Sequence, residues 1–251
     1  MPAMLVAAMI ATPPDEGWAP PTHRLRIETP PPPGAVNLNV DGRRLNGALQ
    51  GFGQLWQRTY RIRLNDPELK PREVIRAWKE HFEEFWPKGN RYYGSRPERA
   101  PGEVALLNLA PMPGPVKLTT GVMVIYADDT SFSFMAPEGH MYAGWITFSA
   151  QQEGDAVYAQ VQVLVRTSDP AWELVMRLFA FKAEDAFWHA TLHNLAAWFG
   201  ATGYDVEQRL VLLDSHVQWK RVMNTWRNAA MWSGLYWAAT PVRWLVRRLA
   251  R

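Results

Sequence analysis

The chain of 251 residues has no cysteine. That absence removes disulfides, thiol nucleophiles and thiolate metal sites at once, and it suits a reducing compartment. Acid is missing from one region: after Asp214 there is no Asp or Glu. Long apolar runs are missing too. The nearest to one, residues 228–242, is 15 residues long and interrupted by Ser233 and Gly234, short of the about 18 that suggest a membrane span. Residues 4–11 are apolar, but no Lys or Arg precedes them, which makes a poor signal peptide. Gly51-Phe52-Gly53 lacks a third glycine and precedes a strand pattern, so it is not a nucleotide signature, and no Gly-x-Ser-x-Gly elbow occurs. The expectation is a cytoplasmic protein.

What is present is an uneven charge. The 37 residues after Asp214 hold Lys220, Arg221, Arg227, Arg243, Arg247, Arg248 and Arg251, a charge of +7, and five of the 13 tryptophans. The rest is −4, which leaves the net +3. A cationic, Trp-rich tail on a near-neutral body suits an anionic, partly apolar surface, and a membrane fits that description. Trp226, Trp232, Trp237, Arg243, Trp244, Arg247 and Arg248 are the candidate contacts, which would place the protein peripherally at the inner membrane face. Trp219, Val222, Met223, Trp226 and Ala230 form a helical stripe, and Thr240-Pro241 restarts a helix. The rival reading docks this stripe on the body. Nucleic acid is disfavoured, because the basic residues are not interleaved on a sheet with aromatic ones.

The chain order divides into a Pro-rich lead-in over 1–50, a body over 51–200 and a helical tail over 201–251. Nine of the 20 prolines lie in the first 33 residues, which reads as a linker. Alternation then begins. Trp56, Tyr60, Ile62 and Leu64 share one strand face, and Arg58 breaks the pattern by pointing inward with them. An amphipathic helix follows through Val74, Trp78, Phe82 and Phe85. Strands are predicted near 103–109, 116–126, 130–136, 142–150 and 156–166, joined by short turns and therefore antiparallel. Asp169-Pro170 opens a helix of about 30 residues, with Asp169 as N-cap. It is apolar on two sides, so it needs two partners: the sheet, and then the tail, lipid or a second copy in a homodimer through the outer face of 170–199.

This order, strand, helix, antiparallel strands and one long helix, resembles the helix-grip fold of the START-like (SRPBCC) superfamily. The run Phe132-Ser133-Phe134, then Gly139-His140, then Gly144-Trp145 and Phe148 is similar to an uncharacterised bacterial and plant family within it. Trp145 stands where that pattern has Glu. The resemblance covers about 50–200 and implies an α+β body: a curved antiparallel sheet of about six strands wrapped on the long helix around an apolar cavity.

Such a cavity would bind a hydrophobic small molecule or lipid, lined by Tyr60, Trp78, Phe132, Phe134, Phe148, Val161 and Phe179. Arg58 and His140 are the candidate polar anchors. A buried guanidinium must meet a carboxylate, reach the rim or face a ligand anion. His140, near Glu138, could act as a general acid or base, as in the cyclases and dehydratases of this fold, if a second titratable group stands beside it. Otherwise it hydrogen-bonds backbone in a turn. Asp185, His189 and His193 share a helical stripe, but no third cluster joins them, so neither metal nor cofactor is expected. His81 and Glu84 read as a surface pair. A third alternative is an interaction module whose core is filled by its own side chains.

Overall fold

The computed structural model describes residues 17–27, 30–94, 99–110 and 117–240. Strand β1 (Leu55–Leu64) alternates as its sequence requires: Tyr60, Ile62 and Leu64 are buried, and Arg58 is buried with them. Helix α1 (Pro71–Glu80) starts with Pro at its first turn, and the Glu73 carboxylate accepts the Lys70 N–H at 3.0 Å. Val74, Ile75 and Trp78 are its buried face. It ends before Phe82, and the turns that follow still carry Phe82 and Phe85 into the core.

Next come β2 (Arg91–Tyr93), β3 (Val104–Leu109), β4 (Leu118–Ala127), β5 (Ser131–Met135), β6 (Tyr142–Glu153) and β7 (Ala156–Thr167). The β4–β5 turn closes on Asp128, whose Oδ1 accepts from the N–H of Thr130 at 2.7 Å and of Ser131 at 2.6 Å. Asp169 caps the long helix, accepting from the N–H of Ala171 and Trp172 at 2.9 and 3.0 Å. The helix runs as α2 (Pro170–Val175), a π segment (Met176–Ala180) and α3 (Phe181–Trp198), with helical dihedrals at both joints. Then follow β8 (Glu207–Asp214), a 3₁₀ helix (Trp219–Arg227) and α4 (Ala229–Ala238).

All strands pair antiparallel in the order β2-β3-β4-β5-β6-β7-β1-β8. The protein is α+β with the helix-grip architecture, and among the described residues the sheet has eight strands, not six. β2 has only three residues, too few to show a period. β8 contains the unbroken run Leu210-Val211-Leu212-Leu213, which hides alternation. Residues 207–214, assigned above to a helical tail, are therefore an edge strand of the body.

The sheet and α3 enclose an aromatic core. Phe82 contacts Phe132, Phe134 and Phe148 with ring centroids 5.2–5.7 Å apart, and Trp78 meets Phe148 at 5.2 Å. The second partner of the long helix is the segment after α1. Trp86 packs on Phe187 at 5.4 Å, Phe85 on Trp198 at 5.8 Å, and the Asn194 amide donates to the Phe85 carbonyl at 3.0 Å.

The tail docks at the start of the long helix and on β4, where Ala229 packs with Trp172 and Leu118, and polar side chains fasten it. Asn228 donates to Asp169 at 2.9 Å, Asn224 donates to the Gln50 and Ser168 carbonyls at 2.9 and 2.8 Å, and the Ser233 hydroxyl accepts the Thr119 N–H at 3.0 Å. The described part of the lead-in also packs on the body, where Leu25 and Val40 meet Leu106 and Met123.

Candidate functional site

A cavity of about 200 Å³ lies between the inner face of the sheet and α3. Its walls are mostly apolar: Phe134, Ile146 and Phe148 from the strands, Val163 from β7, Phe187 and Trp188 from α3. One wall is polar. It is made by His140 from the β5–β6 loop, Tyr142 at the start of β6 and Glu184 in the first turn of α3.

Tyr142 and Glu184 join a network around Arg58. Its Nη1 donates to Glu184 Oε2 at 2.6 Å, and its Nη2 donates to Asp185 Oδ1 at 2.5 Å. The Tyr60 hydroxyl donates to Asp185 at 2.7 Å, and the Tyr142 hydroxyl donates to Glu184 Oε2 at 2.5 Å. Gln208 of β8 completes the set, donating to Asp185 at 2.7 Å. Burial lowers the Arg58 pKa, but Glu184 and then its other neighbours outweigh that and raise it. Burial raises the pKa of Glu184, against the pull of Arg58 and the Tyr142 hydrogen bond. Burial, followed by the charge of Glu184, raises that of Tyr142 far above its ordinary value. Arg58 and Glu184 are thus a buried pair, each made tolerable by the other.

His140 belongs to a different arrangement. Its Nδ1 accepts the Tyr142 backbone N–H at 3.0 Å, so the neutral ring carries its proton on Nε2. Part of its surface is open, yet the ring lies deep among protein atoms, and this desolvation pushes its pKa down to about 4.

Of the sequence candidates, Phe134, His140 and Phe148 line the cavity. Tyr60, Trp78, Phe132 and Val161 are fully buried in the surrounding core and do not line it. Arg58 does not line it either; its guanidinium is taken up by two carboxylates. The side chain of Phe179 lies outside the described residues. Glu184 and Tyr142 were not singled out from sequence. The signal for Glu184 was the inward Arg58, which needs a carboxylate, and adjacent acids stand at 184 and 185 on the facing helix.

Asp185, His189 and His193 do not assemble a metal centre. Asp185 is engaged by Arg58, His189 meets Gln208 at 3.3 Å, and His193 is exposed. Among the described residues no group of three or more His, Asp or Glu could hold an ion. His81 and Glu84 do pair on the surface, at 2.8 Å.

In the tail, Trp226 and Trp232 are exposed, while the Trp237 indole donates to the Lys117 carbonyl at 2.9 Å. Arg243, Trp244, Arg247 and Arg248 lie outside the described residues. Among those described, no helix is long and apolar enough to cross a membrane.

No protein-family model and no curated protein matches the chain. Solved structures show a distant likeness. The KanY protein is 12% identical over 57% of this chain and 95% of its own, with TM-score 0.44. TTHA0849 from Thermus thermophilus is 14% identical over 59% of this chain and 99% of its own, also at 0.44. The di-domain ARO/CYC StfQ from the steffimycin biosynthetic pathway is 9% identical over 59% of this chain and 51% of its own, at 0.45. The helix-grip assignment rests on the strand order and the long helix described above.

Proposed function

We propose that the protein binds a small hydrophobic molecule between sheet and α3 and meets an anionic membrane surface through its tail. The cavity is the observation that supports the first part. An apolar cavity of about 150 Å³ is enough to hold benzene, and this one is about 200 Å³. It is smaller than the roughly 300–1,000 Å³ usual for drug-sized ligands. A ring-sized ligand therefore fits as the chain stands, and a lipid chain would enter only if α3 or the β5–β6 loop moved. Kinship with the Gly-His family belongs to the same proposal. Trp188 lines the cavity, so titration with toluene, followed by Trp fluorescence and by native mass spectrometry, tests the reading. Absence of any saturable change would refute it.

The second part is supported by the orientation of the tail. Asn224, Asn228 and Ser233 face the body, which leaves Trp219 and Trp226 at 71% and 68% exposure beside Lys220, Arg221 and Arg227. Amphipathic indoles among cations suit the headgroup zone. Co-sedimentation with vesicles containing anionic lipid should be strong at low salt, weak at high salt, and lost in the W219S/W226S variant. An unchanged variant would remove this half of the proposal.

An acid–base enzyme of the cyclase or dehydratase kind is the runner-up. His140 and Glu184 both line the cavity, which supplies the second titratable group it needs. Against it, a ring with a pKa of about 4 is a poor proton carrier near neutrality. A wholly self-filled core is not favoured, because the cavity remains.

A further inference from the structure

We infer that the cavity selects an uncharged ring-sized molecule bearing a hydroxyl, held between the carboxylate of Glu184 and the Nε2–H of His140. This rests on the ligand-binding reading above and names the ligand class.

The polar wall offers one acceptor and one donor. Glu184 lines the cavity and spends Oε2 on the Arg58 guanidinium and the Tyr142 hydroxyl. A carboxylate has about four lone-pair positions, so acceptor capacity is left for a ligand. His140 also lines the cavity, and its Nδ1 is taken by the Tyr142 N–H, which leaves Nε2–H as its spare group. A hydroxyl is both donor and acceptor, and so matches this pair.

Charge decides what is refused. Arg58 is the cation nearest this wall, and both its Nη atoms are held by Glu184 and Asp185. It has little attraction left for a ligand anion, and the first group an anion would meet is a like-charged carboxylate. A ligand ammonium would have to shed its water in an apolar cavity, beside a carboxylate whose charge Arg58 already balances. Neutral ligands avoid both penalties. An apolar ring without a polar group would bind, but would leave the Glu184 acceptor and the His140 donor unused, and buried groups left unpaired are costly.

The test is isothermal titration of the full chain at pH 7 with four single-ring probes of similar size: toluene, benzyl alcohol, benzoate and benzylammonium. Benzyl alcohol should bind at least tenfold more tightly than benzoate or benzylammonium, and more tightly than toluene. Glu184→Gln keeps the shape and removes the charge. It should raise the ratio of benzoate to toluene affinity about tenfold, a ratio that cancels any change in the cavity common to both probes. Should that variant fail to fold, the wild-type ranking alone still decides. Equal binding of toluene and benzyl alcohol, or tighter binding of either ion, overturns the inference and leaves the ligand-binding reading standing. If no probe binds, both fall.

Discussion

Arg58 and Glu184 meet at 2.6 Å with only 2% and 11% of their side chains exposed, and this contact ties β1 to the first turn of α3. The sequence suggested Arg58 as a ligand anchor because an inward guanidinium needs an anion. Two anions are supplied by the chain itself, Glu184 and Asp185. Its importance is then structural, and it reaches the cavity only by holding Glu184 in place.

Removing one member of a buried ion pair strands the other. Arg58→Met should therefore cost about 3–5 kcal/mol, read as a shift in the urea midpoint with little change in slope. It also leaves Glu184 uncompensated, so the Glu184 pKa should climb further. A loss below about 1 kcal/mol, within the range of exposed pairs, would show that the network contributes little.

His140 should make stability depend on pH. Its folded pKa is about 4, against about 6.5 when unfolded. Between these values the unfolded chain binds a proton that the folded chain refuses, so stability is full above about 6.5 and falls as pH drops toward 4. The loss could reach about 3 kcal/mol at about 1.4 kcal/mol per pH unit. His140→Asn keeps an acceptor for the Tyr142 N–H and cannot titrate. Urea unfolding at pH 7 and pH 5 should show the variant losing less than the wild type. Parallel profiles for the two proteins would exclude the mechanism.

Much of the fold was legible because the body obeys two clean periods. Val157, Val161, Val163 and Val165 mark β7 by alternation, and Asp169-Pro170 marks the helix start by capping chemistry. The failures have physical causes. Leu210-Val211-Leu212-Leu213 has no period, and the charge boundary nearby drew β8 into the tail. Phe82 and Phe85 continue a helical spacing after the helix has stopped. The polar wall was half legible: His140 stood out as a motif, but Glu184 could be found only by asking which acid answers Arg58, a question of register between a strand and a distant helix.

Gly139 shows why its position takes glycine. Its φ is +90°, and a β-carbon there would stand 1.9 Å from the Arg227 carbonyl oxygen. Its own carbonyl accepts the Ala229 N–H at 2.8 Å, so the tail is seated directly on this residue. Gly139→Ala cannot keep both the backbone and the seat. The tail should open more often, and trypsin should cut at Lys220, Arg221 or Arg227 at least tenfold faster, because cleavage tracks the open population. An unchanged cleavage rate would mean that the Asn224 and Asn228 contacts alone hold the tail. His140 is the next residue and lines the cavity, so the same variant should also speed ligand release.

Truncation separates the tail's two roles if the cut respects the sheet. The helix-grip resemblance over 50–200 implies a body complete by Gly200 that folds alone. The structure argues otherwise. A cut after Tyr204 removes β8, which pairs with β1 from Leu55 to Arg61, together with the Gln208 bond to Asp185. It also strips Arg166, only 3% exposed, of Asp214 and of the His216 carbonyl, leaving the Gly53 carbonyl as its remaining acceptor. Domains are stable by only about 5–15 kcal/mol, so this form should lose cooperative unfolding and aggregate. A cut after Thr240 removes no element described above, but it takes away Arg243, Arg247, Arg248 and Arg251, four of the seven tail cations. At about 1 kcal/mol for each cation near an anionic surface, that form should melt like the full chain and bind anionic vesicles far more weakly at low salt. Thermal melts of both forms, with co-sedimentation of the longer one, give the answer. A cooperative, wild-type melt after the Tyr204 cut would show that β8 is dispensable. Undiminished vesicle binding after the Thr240 cut would assign the contact to Trp219 and Trp226 rather than to the terminal arginines.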